Sequence, residues 1–345
     1  MDHHPLERHS LIVNYIVKVN TRIFLLVFIF FYLLYLLSII NPINVISICQ
    51  HSSYVYPHDH SNGEVTLKFF NDQRSLDFLF EPSNSVCHNS SLNTIIFVIS
   101  VPSSFNRRSS IRSTWANHSN FKSLKEGNVS VVFVLSSPSI RVRQLVAEEA
   151  DMHKDLLVSS LEESYENLIF KRKNCPSIRH LAKTDDDVVV NVDSFMHFIN
   201  EEEASGLGTV TGYVWNEVRV PRNKAAKWVV SKEAFPHSYY PSFCAGPFYV
   251  IGRLALDKIL DVLPEISHFN LEDVIFTGIA RKTANVSLRE WNQHFFQFSS
   301  TDDFTGIPPI CDKEGTPIVF SVHGTKTPKQ IDEVFHNITK YSCSA

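Results

Sequence analysis

Three aspartates in succession, Asp185, Asp186 and Asp187, stand between two apolar runs in LAKTDDDVVVNVDSF, residues 181–195. Adjacent carboxylates raise one another's pKa, and a bound dication removes that conflict. Hard cations such as magnesium or manganese take oxygen ligands, so a carboxylate at a strand end can hold a metal that in turn holds a diphosphate. In an extended strand, residues 185 and 187 point one way and 186 the other. Two carboxylates can then share a site while the third faces elsewhere or reaches a ribose. The bland alternative is a solvated acidic turn, which the apolar flanks disfavour.

Other residues extend the set. Arg108 and Arg112 lie four apart in RRSSIRSTW (107–115), so on a helix they share one face while Trp115 packs inward. Near a helix N-terminus at a strand's carboxyl end, that face suits the anionic groups of a nucleotide. Two solvated arginines are the alternative. Glycine signatures for nucleotides are absent: GLGTVTG (206–212) misses the GxGxxG spacing by one residue. Phosphates must be held by another device, and a divalent metal is that device. Asp273 follows Glu272 in NLEDVIFTG, where a helix begins, and helix capping is the structural alternative to chemistry for both acids. His323 ends the apolar run IVFSV and, as one of sixteen histidines, carries no assignment by itself.

These residues need a frame. TIIFVIS (94–100), SVVFVLS (130–136), DLLVSS (155–160) and HLAKTDDDVVV (180–190) read as strands. SSIRSTWAN, RVRQLVAEEADM and SYENLIFKRK read as helices, the last with Ser160 and Glu163 at capping-box spacing and Tyr165, Leu168 and Ile169 as a buried stripe. The alternation predicts an α/β fold with a parallel sheet covered on both faces, whose ligands bind beyond the carboxyl ends of the strands.

Seven blocks in order along the chain resemble those of the beta-1,3-galactosyltransferase family: RRSSIRSTW, EESYENLIFK (162–171), KTDDDVVVNVD (183–193), KWVV (227–230), YPSFCAGPFYV (240–250), LEDVIFTGIA (271–280) and FSVHGTKTP (320–328). The resemblance covers about residues 93–335. It implies a single GT-A-type, Rossmann-like catalytic domain with a central, mostly parallel sheet. It also implies a type II Golgi membrane enzyme that moves galactose with inversion from UDP-galactose to the 3-hydroxyl of a GlcNAc- or GalNAc-type glycan, on protein or lipid. The implied cofactor is manganese, with magnesium the alternative, held by Asp187 and His323 together with Asp185. Arg108, Arg112, Lys183, Asp185 and Asp186 fall to the donor, Glu272 and Trp228 to the acceptor, and Asp273 is the general base. Three other readings stay open: a UDP-GlcNAc donor, a non-catalytic membrane-tethered sugar-binding homologue, and a metal-dependent hydrolase. The last lacks a further His/Asp cluster for a second metal. One loop departs from the family: CAGPFYV carries Pro247 and Phe248 where glycines usually run, and proline removes an N–H that could meet a ligand.

Composition addresses the compartment. A net charge of -4 argues against a nucleic-acid partner. Residues 23–40, IFLLVFIFFYLLYLLSII, are uncharged and long enough to cross a hydrocarbon core of about 30 Å as a signal-anchor. Arg8, Lys18 and Arg22 precede them, and no Lys or Arg follows until Lys68, which keeps residues 1–22 cytoplasmic. Residues 41–92, polar with brief apolar runs such as VTLKFF, read as a lumenal stem, and 93–345 as the catalytic domain. Sequons at Asn89, Asn117, Asn128, Asn285 and Asn337 agree with a lumenal location. All six cysteines, Cys49, Cys87, Cys175, Cys244, Cys311 and Cys343, follow the span, so disulfides are expected and zinc spacing is absent.

Overall fold

The apolar runs singled out above are strands. The computed structural model describes residues 65–83, 90–161, 178–201, 206–297 and 310–340, all within one unit, Ser61–Ala345. The expected signal-anchor at 23–40, the EESYENLIFK helix, Asn89, and Cys49, Cys87, Cys175 and Cys343 lie outside the described residues. Among those described, no helix is long and apolar enough to cross a membrane.

In chain order the strands and main helices are β1 (Val65–Lys68), β2 (Gln73–Leu76), β3 (Phe78–Phe80), β4 (Thr94–Ile99), α1 (Phe105–Ser113), β5 (Val129–Leu135), α2 (Arg143–His153), β6 (Leu156–Ser159), β7 (His180–Asp185), β8 (Val188–Val190), α3 (Val192–Glu201), β9 (Thr209–Trp215), β10 (Phe243–Gly252), α4 (Arg253–Asp261), a π-helical segment (Val274–Ala280), β11 (Ser287–Glu290), β12 (Phe295–Gln297), β13 (Ser321–His323) and α5 (Pro328–Lys340). The main sheet has the order β11-β9-β10-β7-β4-β5-β6-β3, and a second sheet runs β12-β13-β8. The chain folds as an α/β domain.

Period-two alternation divides the core. Ile95 and Phe97 of β4 face a cluster covered by α4 (Ala255, Ile259) and the π-helical segment (Val274, Ile275). Ile96 and Val98 face the opposite cluster, with Ile111 and Trp115 at α1, Phe195 of α3 and Ile331, Val334 and Ile338 of α5. Spacings of three and four in the helices keep each apolar stripe against the sheet.

Three expectations are corrected. The sheet is parallel only across β7, β4, β5 and β6 and in the β9/β11 pair; β10 runs antiparallel to both neighbours, and β3 to β6. The sheet is therefore mixed, because β9 and β10 are joined by an excursion over 216–242 rather than by a crossover helix. HLAKTDDDVVV is two strands, not one: β7 stops at Asp185, and β8 belongs to the second sheet. Part of the segment before residue 93 is ordered into strands. β1 and β2 form a hairpin, β3 is an edge strand of the main sheet, and Leu67 and Phe69 of VTLKFF are buried in its core. Finally, Cys244 is a free, buried thiol, whereas Cys311 is disulfide-bonded.

Candidate active site

The three aspartates separate because β7 ends among them. The Asp186 N–H donates to the Ile99 carbonyl at the end of β4 (3.1 Å), and residues 186–187 turn the chain into β8. Each carboxylate then finds a different partner. Asp185 Oδ1 accepts from Lys183 Nζ at 2.7 Å. Asp186, buried, accepts from Ser100 Oγ at 2.7 Å and from Arg107 Nη1 at 2.9 Å. Asp187 Oδ2 lies 3.5 Å from His323 Nε2. The antiparallel register of β13 on β8, which sets His323 opposite Val188, brings that imidazole in. The loop beyond is fastened to the same turn: Gly324 and Thr325 N–H (each 3.0 Å) and Thr325 Oγ1 (2.7 Å) donate to the Asp187 carbonyl.

Asp187 and His323 are the metal ligands from the expected set that meet. Asp187 Oδ1 and His323 Nδ1 are both buried and have no hydrogen-bond partner, which a cation would remedy. Burial raises the Asp187 carboxyl's pKa, but His323 and Arg107 outweigh it and hold the group below the usual carboxylate value. Asp185 does not join them. Among the described residues, the one grouping of three such side chains with ligand atoms within 4.8 Å is His197, Glu201 and Glu314. Asp185 is instead held by Lys183.

A second acidic group forms where β10 meets the π-helical segment. Asp273 caps that segment, its Oδ1 accepting from the Val274 N–H at 2.8 Å. Glu272 accepts from the Tyr249 hydroxyl and lies 3.8 Å from Lys183 Nζ, its side chain only 8% exposed. Burial pushes the Glu272 pKa up, against the pull of Lys183 and with the help of Asp273, to about 7. Burial also raises Asp273, with the Val274 amide and Lys183 opposing it. Lys183 is the joint between the two groups. Its buried ammonium donates to Asp185 and, also at 2.7 Å, to the Gly246 carbonyl.

Arg108 and Arg112 share a face as the spacing requires, and that face is turned toward carboxylates of the chain itself. Arg108 is wholly buried, donating to both Glu149 oxygens (2.8 and 2.5 Å), Ser100 Oγ and the Val101 and Pro102 carbonyls. Arg112 is committed to Glu149 (2.7 Å) and Asp155 (2.7 and 2.8 Å). These guanidinium groups tie α1 to Glu149 of α2 and to Asp155 beyond it. Their neighbour Arg107 faces the site, joining Asp186 to the Lys326 carbonyl at 2.8 Å. Arg107, Tyr249 and Gly246 are site residues that sequence reasoning passed over, although the paired arginines were a signal for the first. Trp228 is 54% exposed on the 216–242 excursion, with Lys227 Nζ 4.3 Å from its ring centroid. Phe248 is core, packed on Phe195, Phe295 and Phe320.

The sequence model described as galactosyltransferase matches residues 106–292, more than half of the 345-residue chain, and takes in both acidic groups but not His323. The beta-1,3-galactosyltransferase 1 of Mus musculus and of Homo sapiens are each 27% identical over 247 residues, which is 69% of this chain and 72% of theirs. The lactosylceramide 1,3-N-acetyl-beta-D-glucosaminyltransferase A of Xenopus laevis is 25% identical over 240 residues, 66% of this chain and 61% of its own length. Among solved structures, the galactosyltransferase LgtC with donor and acceptor sugar analogs is 11% identical, covered over 73% of this chain and 97% of that one, at a TM-score of 0.36. So low a score carries no inference, and the sequence matches decide: the chain belongs to the galactosyltransferase family.

Proposed function

We propose that the chain is an inverting beta-1,3-glycosyltransferase of GT-A type that moves galactose from UDP-galactose to the 3-hydroxyl of a GlcNAc- or GalNAc-type glycan. The observation that carries this reading is the reach of Lys183, which spans the strand-end carboxylate Asp185 and the buried acid Glu272 and so sets the donor and acceptor groups in one site. The Asp187–His323 pair, with its two unpartnered buried atoms, fits a divalent cation, and an imidazole ligand favours manganese over magnesium. Such a cation supplies charge neutralisation of the diphosphate leaving group.

The chain's own residues do the rest. Asp273 takes the proton of the acceptor 3-hydroxyl, and its raised pKa makes it a stronger base than a solvated carboxylate. The acceptor oxygen forms its bond to the sugar's anomeric carbon as the bond to UDP breaks, and UDP leaves with the electron pair. Attack from the face opposite UDP inverts the centre. Arg107 and Asp186 keep the donor side in register, and exposed Trp228 offers an acceptor sugar an aromatic face.

A UDP-GlcNAc donor is the second reading, favoured by the Xenopus relatives named as N-acetylglucosaminyltransferases. The proposal puts the domain in the Golgi lumen behind the 23–40 span. It is supported by Asn117, Asn128, Asn285 and Asn337, none of which is buried. The test is to incubate the protein with manganese, a panel of UDP-sugars and glycan acceptors, and to determine the product linkage by NMR. A beta-1,3 linkage is expected. Hydrolysis of the donor without transfer to any acceptor would sink the proposal.

A further inference from the structure

We infer that Gly246 is the positioning residue for Asp273, fixing the base against the donor side of the site from an irregularity in β10. The inference rests on the reading of Asp273 as the base. β10 pairs with β9 at Phe243 and Cys244 and again from Tyr249, with a shift of register between. Three contacts leave this irregular stretch. The Cys244 N–H donates to Thr277 Oγ1 at 2.9 Å, and Thr277 Oγ1 donates to the Asp273 carbonyl at 2.5 Å, which ties the stretch to the first turn of the helix that carries the base. The Gly246 carbonyl accepts from Lys183 Nζ at 2.7 Å, and Lys183 also holds Asp185. The Asp273 carboxylate lies against Gly246 itself: a Cβ placed there would be 3.2 Å from Oδ2 and 3.7 Å from Cγ.

Gly246 does not have the left-handed φ found at Gly127, Gly315 and Gly324. Glycine is needed at 246 for space, not for backbone freedom. The missing side chain lets the carboxylate close in, while the carbonyl of the same residue pins the ammonium that faces the donor side. One residue therefore sets the spacing between Asp185 and Asp273. A methyl group there makes the carboxylate give by a few tenths of an ångström, and proton abstraction is sensitive to displacements of that order.

The test is Gly246→Ala in the full chain, using the donor and acceptor that give turnover in the panel. Gly208→Ala is the control, since a Cβ there meets nothing within 4 Å. Gly246→Ala should lower kcat about tenfold or more, leave the donor KM within about twofold and keep a near-normal melting temperature, while Gly208→Ala behaves as wild type. In an Asp273→Asn background the added methyl should cause no further loss, because the group it acts through is gone. If Gly246→Ala does not fold, Thr277→Val probes the same clamp from the helix side and should show the same kcat-selective fall. An unchanged kcat, or a loss that adds to that of Asp273→Asn, overturns the inference and leaves the base assignment standing. Full activity of Asp273→Asn removes the base assignment, and the inference with it.

Discussion

Asp187 and Glu272 stand at the two acidic groups of the site, and their surroundings drive their protons in opposite directions. At Asp187, burial raises the pKa but an imidazole and a guanidinium outweigh it, and one buried atom on each of Asp187 and His323 is left without a hydrogen-bond partner. At Glu272, burial dominates, the single ammonium nearby is shared with Asp185, and Asp273 adds a second negative charge. Identical chemistry thus divides into a carboxylate fit to ligate a cation and a pair fit to hold or take up a proton, set by partners and burial rather than by residue type. Lys183 keeps the two groups linked while letting them differ.

The comparison breaks most severely at Asp273. Asp273→Asn keeps the side chain's shape and can still accept from the Val274 N–H, but it cannot take the acceptor's proton. The expected result is a fall in kcat of about a hundredfold or more with donor binding nearly intact. Steady-state kinetics at saturating donor, with UDP-sugar binding by calorimetry, checks it. A variant with normal kcat would place the catalytic carboxylate elsewhere.

The opposite group should fail in a different way. Asp187→Ala and His323→Ala each remove one member of the pair that meets at 3.5 Å, so manganese affinity should drop about tenfold or more, and donor binding should fall with it. Restoring activity with excess manganese would confirm that the loss lies in the metal. Full turnover of either variant after exhaustive EDTA treatment would show that the pair has no such part.

Much of the frame was legible because β4, β5 and β6 are buried on both faces and read as unbroken apolar runs. The break after Asp185 was not. No glycine or proline marks it, and it depends on the Ile99 carbonyl and on β13, which lies more than a hundred residues further on. The shared face of Arg108 and Arg112 followed from their spacing, but its direction did not. Glu149 and Asp155, which claim that face, are 37 to 43 residues away from the arginines. VTLKFF was read as stem because its surroundings are polar, yet its alternation buries two side chains and needs no more. Asp273 was placed by resemblance. Nothing local distinguishes its capping role from its proposed catalytic one, and the structure shows it capping while also lying against Gly246.

The smallest effect expected is on stability, at Glu272. Burial pushes its pKa in the fold up to about 7, from the ordinary glutamate value of 4.5. Between those values the folded state binds more protons than the unfolded chain, so stability falls as pH rises. The contribution is fully present below the unfolded value and is lost as pH climbs through the folded one. Glu272→Gln cannot ionise, and its amide can still meet the Tyr249 hydroxyl, so the variant should lose this slope. Relative to wild type it should gain on the order of 1–2 kcal/mol on going from pH 5 to pH 7. Denaturant melts at the two pH values measure the difference directly. Parallel slopes for the two proteins would mean that Glu272 is already ionised in the fold, with Lys183 rather than burial in control, and the contrast with Asp187 would disappear.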